Sequence, residues 1–354
     1  MRREPIVADD VSRLSNFEGR KERGSVTRSN FGRPKGMKKF NNYKRDLCCG
    51  SQSRAPAMLA ICPYAGTDSI FMKIIRAEHL GMCFGVKDAI ALATETARHT
   101  PLTILGDLVH NENVLASLKA RGVVIEQQAD KVNTPTVMVT AHGASERALT
   151  RTRALGLNVL EATCPLVRIA HDAVAGLANA GFHPVVIGLR HHVEVRGLTE
   201  DLAEFDVVLS EADIQAMKER PRFGVAAQTT QPIEKVRLLV NCLHHRFPNS
   251  EVRFIDTVCR PTKQRQHAAV ELAQQCDVVI VIGGAHSNNT RELVETCGRY
   301  CIRVHHVQTA ADLREEWFGE NDTVGLTAGT STPDYVIEEI ENRLKQHWSE
   351  AIHV

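Results

Sequence analysis

The sequence predicts an α/β protein built from three copies of one unit. Three observations carry this. From Met72 onward, short β-branched runs alternate with amphipathic helical stretches. A cysteine recurs at one place in each third of that region, at Cys83, Cys164 and Cys259, spaced 81 and 95 residues apart. A polar cluster follows each cysteine after 27 or 28 residues, at His110, His192 and Ser287. The alternation specifies βαβ units with parallel strands, and the recurrence specifies an internal repeat.

Taken in order, the strands are "KIIRA", "TVMVTA", "HPVVIG", "RFGVAA", "DVVIVIGG" and "DTVGLTAG", each rich in Val, Ile or Thr. The stretches "VKDAIALATETARH" and "RQHAAVELAQQC" have the spacing of one-sided apolar helices. Each third opens as strand, cysteine, helix: "GMCFGV", "ATCPLV", "TVCRPT". Each closes on a strand with a small polar turn: "TAHGAS" with His142, "AAQTTQP" with Thr229, "TAGTSTP" with Ser331. The expected units are 72–157, 158–250 and 251–354. In parallel sheets ligands gather beyond the carboxyl ends of the strands, beside helix N-termini, and every polar residue named here falls at such an end.

Composition sets the outer bounds. The chain has 354 residues, 43% hydrophobic and 5% aromatic, with net charge +1. Residues 1–71 hold 14 Lys/Arg against 7 Asp/Glu, so the remainder is acidic, which argues against a nucleic-acid partner. That first segment reads as a disordered basic extension, or as residues ahead of a true start at Met72; its Cys48, Cys49 and Cys62 receive no site role. No apolar run is long enough for a membrane span and no secretory signal core is present. Ten cysteines without dense spacing indicate reduced thiols or metal ligands in a cytoplasmic protein.

Cys242, Cys276, Cys297 and Cys301 read as buried apolar residues. Cys83, Cys164 and Cys259 differ because they are equivalent in the repeat. A catalytic thiol needs one cysteine, a disulfide two, and structural zinc four ligands. Three converging thiolates suit a [4Fe-4S] cluster with one iron left open to bind a substrate oxygen. His110, His142 and His192, with Ser287, Asn288, Asn289, Thr229 and Ser331, supply imidazoles, hydroxyls, amides and helix N-termini, a set that favours a polyanion such as diphosphate. The absence of a P-loop or G-x-G-x-x-G argues against a nucleotide. Glu194, two residues after His192, is the expected general acid.

These motifs resemble the 4-hydroxy-3-methylbut-2-enyl diphosphate reductase (IspH/LytB) family, through "GMCFGV", "VHNENV", "TAHGAS", "ATCPLV", "HHVEV", "QTT", the "RQ" after Cys259, "SNNT" and "TAGTSTPD". The resemblance runs from about Met72 to the C-terminus. It implies a trefoil-like arrangement of three α/β domains around a central iron–sulfur cluster held by Cys83, Cys164 and Cys259, with the first strand packed into the third domain. It implies that His110, His142, Ser287, Asn288, Asn289 and Ser331 hold the diphosphate, and that His192, Glu194 and Thr229 surround the substrate hydroxyl. The implied reaction is reductive dehydroxylation to isopentenyl or dimethylallyl diphosphate, the last step of the methylerythritol phosphate pathway, with electrons from ferredoxin or flavodoxin. Val193, Arg196 and Asn288 depart from the residues usual in the family, which carries Pro, Glu and Ser there. Other readings are a quinolinate-synthase-like open-iron dehydratase, a non-catalytic iron–sulfur sensor and a zinc-binding structural protein; metal, sulfide and redox turnover discriminate them.

Overall fold

The structure, a computed structural model, describes residues 72–350. The basic extension expected over 1–71 lies outside the described residues, along with its three cysteines. Twelve strands form three four-stranded sheets among the described residues, and every pairing is parallel.

The first sheet contains β2 (Leu102–Leu105), β3 (Val124–Glu126), β4 (Thr136–Val139) and β5 (Asn158–Glu161), in the order β3-β2-β4-β5. The second contains β6 (His183–Ile187), β7 (Asp206–Val208), β8 (Arg222–Ala227) and β9 (Glu251–Phe254), ordered β7-β6-β8-β9. In the third, β10 (Val278–Ile282), β11 (Arg303–Val307) and β12 (Thr323–Ala328) take the same places, and β1 (Lys73–Arg76) fills the fourth. The order is thus identical three times. The edge strand before each cysteine completes the preceding sheet, and β1 closes the cycle by pairing with β12.

The strands opening two of the expected units, β5 and β9, therefore pair backward with β4 and β8. Central strands are apolar on both faces because helices cover both sides. In β10 all five residues, Val278 to Ile282, are buried. One face of the third sheet packs against Val336, Ile337 and Ile340 of α10 (Asp334–Glu350). The other packs against Ala269 and Leu272 of α8 (Arg260–Ala273) and Leu293 of α9 (Asn288–Gly298). Among the described residues no helix is long and apolar enough to cross a membrane.

Candidate active site

Each of the three cysteines caps a helix N-terminus: Cys83 for α1 (Phe84–His99), Cys164 for α4 (Pro165–Asn179) and Cys259 for α8. Proline in the first turn of α4 and α8 suits the unpaired N–H positions there. None of the three side chains makes a capping bond, and Cys259 Sγ lies within hydrogen-bond distance of the Thr262 hydroxyl of α8, at 3.1 Å. Their backbones are held alike: Cys83 N–H donates to Thr330, Cys164 to Ala141 and Cys259 to Thr229, each at 3.0 Å. All three thiols are free and partly buried. A Cβ at Gly85 would collide with Cys164 Sγ, so glycine lets the start of α1 approach that sulfur. Burial pushes the Cys164 thiol up, with Cys83 and Glu194 adding to the effect, and pushes Cys259 up to about 11. Arg265 on α8 lies near Cys83 and Cys259. Its guanidinium donates to the Gly81 carbonyl at 2.9 and 2.7 Å, which fixes the loop leading into Cys83.

The polar residues gather at the carboxyl ends of the central strands. His110 precedes Asn111, the N-cap of α2 (Glu112–Ala120), whose side chain accepts from Val114 N–H. His142 follows β4, and His192 caps α5 (Val193–Thr199), its Nδ1 accepting from Glu194 N–H at 3.1 Å. The three rings meet: centroids lie 4.5 Å apart for His110–His142, 5.2 Å for His110–His192 and 5.4 Å for His142–His192. One ring nitrogen from each falls within 4.8 Å of the others, a spacing that a metal ion could also use. Burial holds all three imidazoles below the ordinary histidine pKa, His192 at about 3, and the rings and Arg291 oppose further charge. They are therefore neutral at pH 7.

Ser287 caps α9 and accepts from Thr290 N–H. Ser331 Oγ donates to the His110 carbonyl at 3.4 Å, so the third unit touches the first. Asn289 Oδ1 accepts from Thr330 N–H at 3.0 Å, while its buried Nδ2 has no protein partner. His110 Nε2 is likewise buried and unpartnered. Buried nitrogens left open call for a ligand or water to satisfy them. Asn288 is turned elsewhere: its amide donates to Thr230 Oγ1 at 3.1 Å and so ties α9 to the second unit.

Glu194 is 1% exposed. Burial raises its pKa to about 7, against the hydrogen bonds from Thr229 that lower it. Thr229 N–H donates to Glu194 Oε1 at 2.6 Å. The carboxyl lies close enough to Cys164 and Cys259 for its charge to act on both thiols. A cavity of about 620 Å³ opens beside His110 and His192, with Arg190, Arg196, His286 and Arg291 among its lining residues. The histidines singled out in the sequence meet here with Glu194 near two of the cysteines, whereas Arg265 and Thr230 were given no role in the sequence. Arg265 stands in the quoted "RQ" pair and Thr230 in the quoted "QTT".

The chain matches the family model described as "LytB protein" over residues 74–345. It is 39% identical over 278 residues to the 4-hydroxy-3-methylbut-2-enyl diphosphate reductase of Trichlorobacter lovleyi, covering 78% of this chain and 98% of that protein. A solved structure of the E-1-hydroxy-2-methyl-but-2-enyl-4-diphosphate reductase from Plasmodium falciparum superposes with a TM-score of 0.72 at 26% identity, covering 77% of this chain and 87% of the other. A second, of (E)-4-hydroxy-3-methyl-but-2-enyl diphosphate reductase, the terminal enzyme of the non-mevalonate pathway, gives a TM-score of 0.58 at 35% identity, covering 78% and 100%. With a threefold sheet order, three equivalent cysteine caps and a match spanning nearly the full length of its relatives, the chain belongs to the LytB protein family.

Proposed function

We propose that the chain catalyses reductive dehydroxylation of 4-hydroxy-3-methylbut-2-enyl diphosphate to isopentenyl and dimethylallyl diphosphate. The C–O bond breaks, two electrons and two protons are taken up, and water leaves. The supporting observation is the convergence of three free thiols, one after an edge strand of each sheet, and of polar side chains from the ends of central strands, in a chain of this family. On this reading the three units form a trefoil around the site.

Cys83, Cys164 and Cys259 would hold one [4Fe-4S] cluster. Three free thiols at three helix N-termini, whose dipoles favour negative charge, fit such a group. When bound, the cluster supplies electron transfer and an open iron for the substrate oxygen. The remaining chemistry belongs to the protein. His110, His142, Ser287, Asn289 and Ser331 bind the diphosphate, and the open Nδ2 of Asn289 and Nε2 of His110 are available for it. Asn288 joins this set through the helix it holds in place. His192 and Thr229 orient the hydroxyl end. Glu194 keeps a proton at its carboxyl up to about pH 7 and can deliver it to the departing oxygen. The electron donor is a one-electron carrier such as ferredoxin or flavodoxin.

Anaerobic preparation should give about four irons and four sulfides per chain, as a cubane cluster requires, with turnover on the hydroxylated allylic diphosphate under reduced viologen. Stoichiometric zinc without sulfide overturns the reading. The close approach of three imidazole nitrogens favours a second reading, a divalent metal on His110, His142 and His192. Metal retained after all three cysteines are changed to serine would support it.

A further inference from the structure

His171 lies on α4, outside the set of residues assigned above. Its ring edge occupies the gap between two elements that carry the site. A Cβ at Gly143, the residue after His142, would lie 3.1 Å from His171 Nε2. A Cβ at Gly197, on α5 three residues after Glu194, would lie 3.3 Å from Cε1 and 3.4 Å from Nε2 of the same ring, and 3.6 Å from Ala144 Cα. His171 Nε2 is buried without a hydrogen-bond partner. Burial holds the ring below the ordinary histidine pKa, although Asp201, Asp172 and Glu146 pull the other way and Arg168 assists. A neutral ring with an orphaned nitrogen is therefore retained where two glycines leave room for it.

The surrounding bonds run between the same two elements. Ser145 Oγ donates to Glu200 at 2.7 Å, and the N–H groups of Glu146 and Arg147 donate to Asp201 at 2.7 and 3.0 Å. They clamp the start of α3 (Glu146–Ala154) onto the end of α5. A clamp pulls the two elements together, and something must set how closely they approach. We propose that His171 is a positioning residue whose imidazole edge is the spacer between the His142 turn and the helix that begins with His192 and Glu194. It makes the anion contact and the proton donor meet at one substrate. The inference rests on the roles given to His142 and Glu194 in the proposed function.

The test is a double-mutant cycle on the anaerobically loaded full chain, with kcat and KM normalised to iron content and Kd for inorganic diphosphate measured by calorimetry. His171→Ala should lower kcat/KM by about ten- to a hundredfold, the scale of an ångström-sized misplacement. KM should rise and kcat fall together, at unchanged iron content, because Cys164 caps α4 about two turns before His171. Gly197→Ala alone should also lose activity, since its methyl presses on the ring. The pair His171→Ala/Gly197→Ala should lose less than the product of the two, because the methyl enters the vacated space. His171→Gln should recover part of the loss. A parental kcat/KM and diphosphate Kd in His171→Ala, or fully multiplicative losses in the cycle, overturns the inference alone. A parent that binds no diphosphate overturns the proposed function and this inference with it. If His171→Ala does not fold, Gly197→Ala and His171→Gln decide on the same readouts: loss in the first and partial retention in the second support the spacer, and parental values in both overturn it.

Discussion

In the proposed role of proton donor, Glu194 answers two opposing demands. A proton donor at neutral pH must keep its proton, and burial provides that by raising the carboxyl to about 7. It must also be held still, and the bond from Thr229 N–H at 2.6 Å provides that while favouring the charged form. Glu194→Gln preserves shape and the accepted bond but has no transferable proton. It should bind diphosphate as the parent does and lose about 10²–10⁴ in kcat; a parental kcat would show that the proton comes from elsewhere. The three central histidines make a separate prediction. They are neutral in the ligand-free site because burial depresses them. A diphosphate beside them favours their charged forms and raises their pKa, so binding takes up protons. Affinity should strengthen as pH falls from about 8 to about 6, and calorimetry at pH 7 in buffers of different ionisation enthalpy should record net uptake. Zero uptake would show that the imidazoles stay neutral in the complex and would contradict the expected charging. The histidines were legible in the sequence because they occupy recurring places in a repeat, and Glu194 because it stands two residues after His192. Arg265 and Thr230 stand in quoted motifs, but what they and His171 touch was not legible, because Gly81, Asn288 and the two glycines lie far away in sequence.

Strands and helices were legible to a different extent. The six strands expected from β-branched runs all form, and the three cysteines do open helices. The short edge strands β3 and β7, three residues each, carry too little pattern to stand out. Backward pairing of β5 and β9 depends on hydrogen bonds to the preceding sheet, which hydrophobic period does not encode. At this scale β10 is the testable element. Ile280 is fully buried in the centre of the third sheet, while Ile302, just before β11, is fully exposed. Ile280→Ala should destabilise by about 2–5 kcal/mol through lost burial and the cavity left behind. Ile302→Ala should leave the denaturation midpoint unchanged. Equal effects in urea titration would contradict the packing of the sheet.

At the scale of the whole molecule, the three units are joined by contacts near the site. Ser145 to Glu200 joins first to second, Asn288 to Thr230 joins third to second, and Ser331 to the His110 carbonyl joins third to first. Side-chain hydrogen bonds of this kind are worth roughly 0.5–1.5 kcal/mol each, little against the separate cores behind each sheet. A group bound by one cysteine from each unit would close the same three junctions at once. Anything that binds the folded chain and not the unfolded one stabilises by mass action, by about 4 kcal/mol when present at a thousand times its Kd. For domains of 150–250 residues each kcal/mol moves Tm by about 2–4 °C. Anaerobically loaded protein should therefore melt well above the same protein stripped by an iron chelator, and the stripped form should unfold over a broader range as the units uncouple. Cys259→Ser should melt like the stripped parent, and chelator should shift it no further. Differential scanning calorimetry on the three samples is the measurement. If loaded and stripped chains melt together, the three cysteines do not share a group, and the junctions must be held by the protein contacts alone.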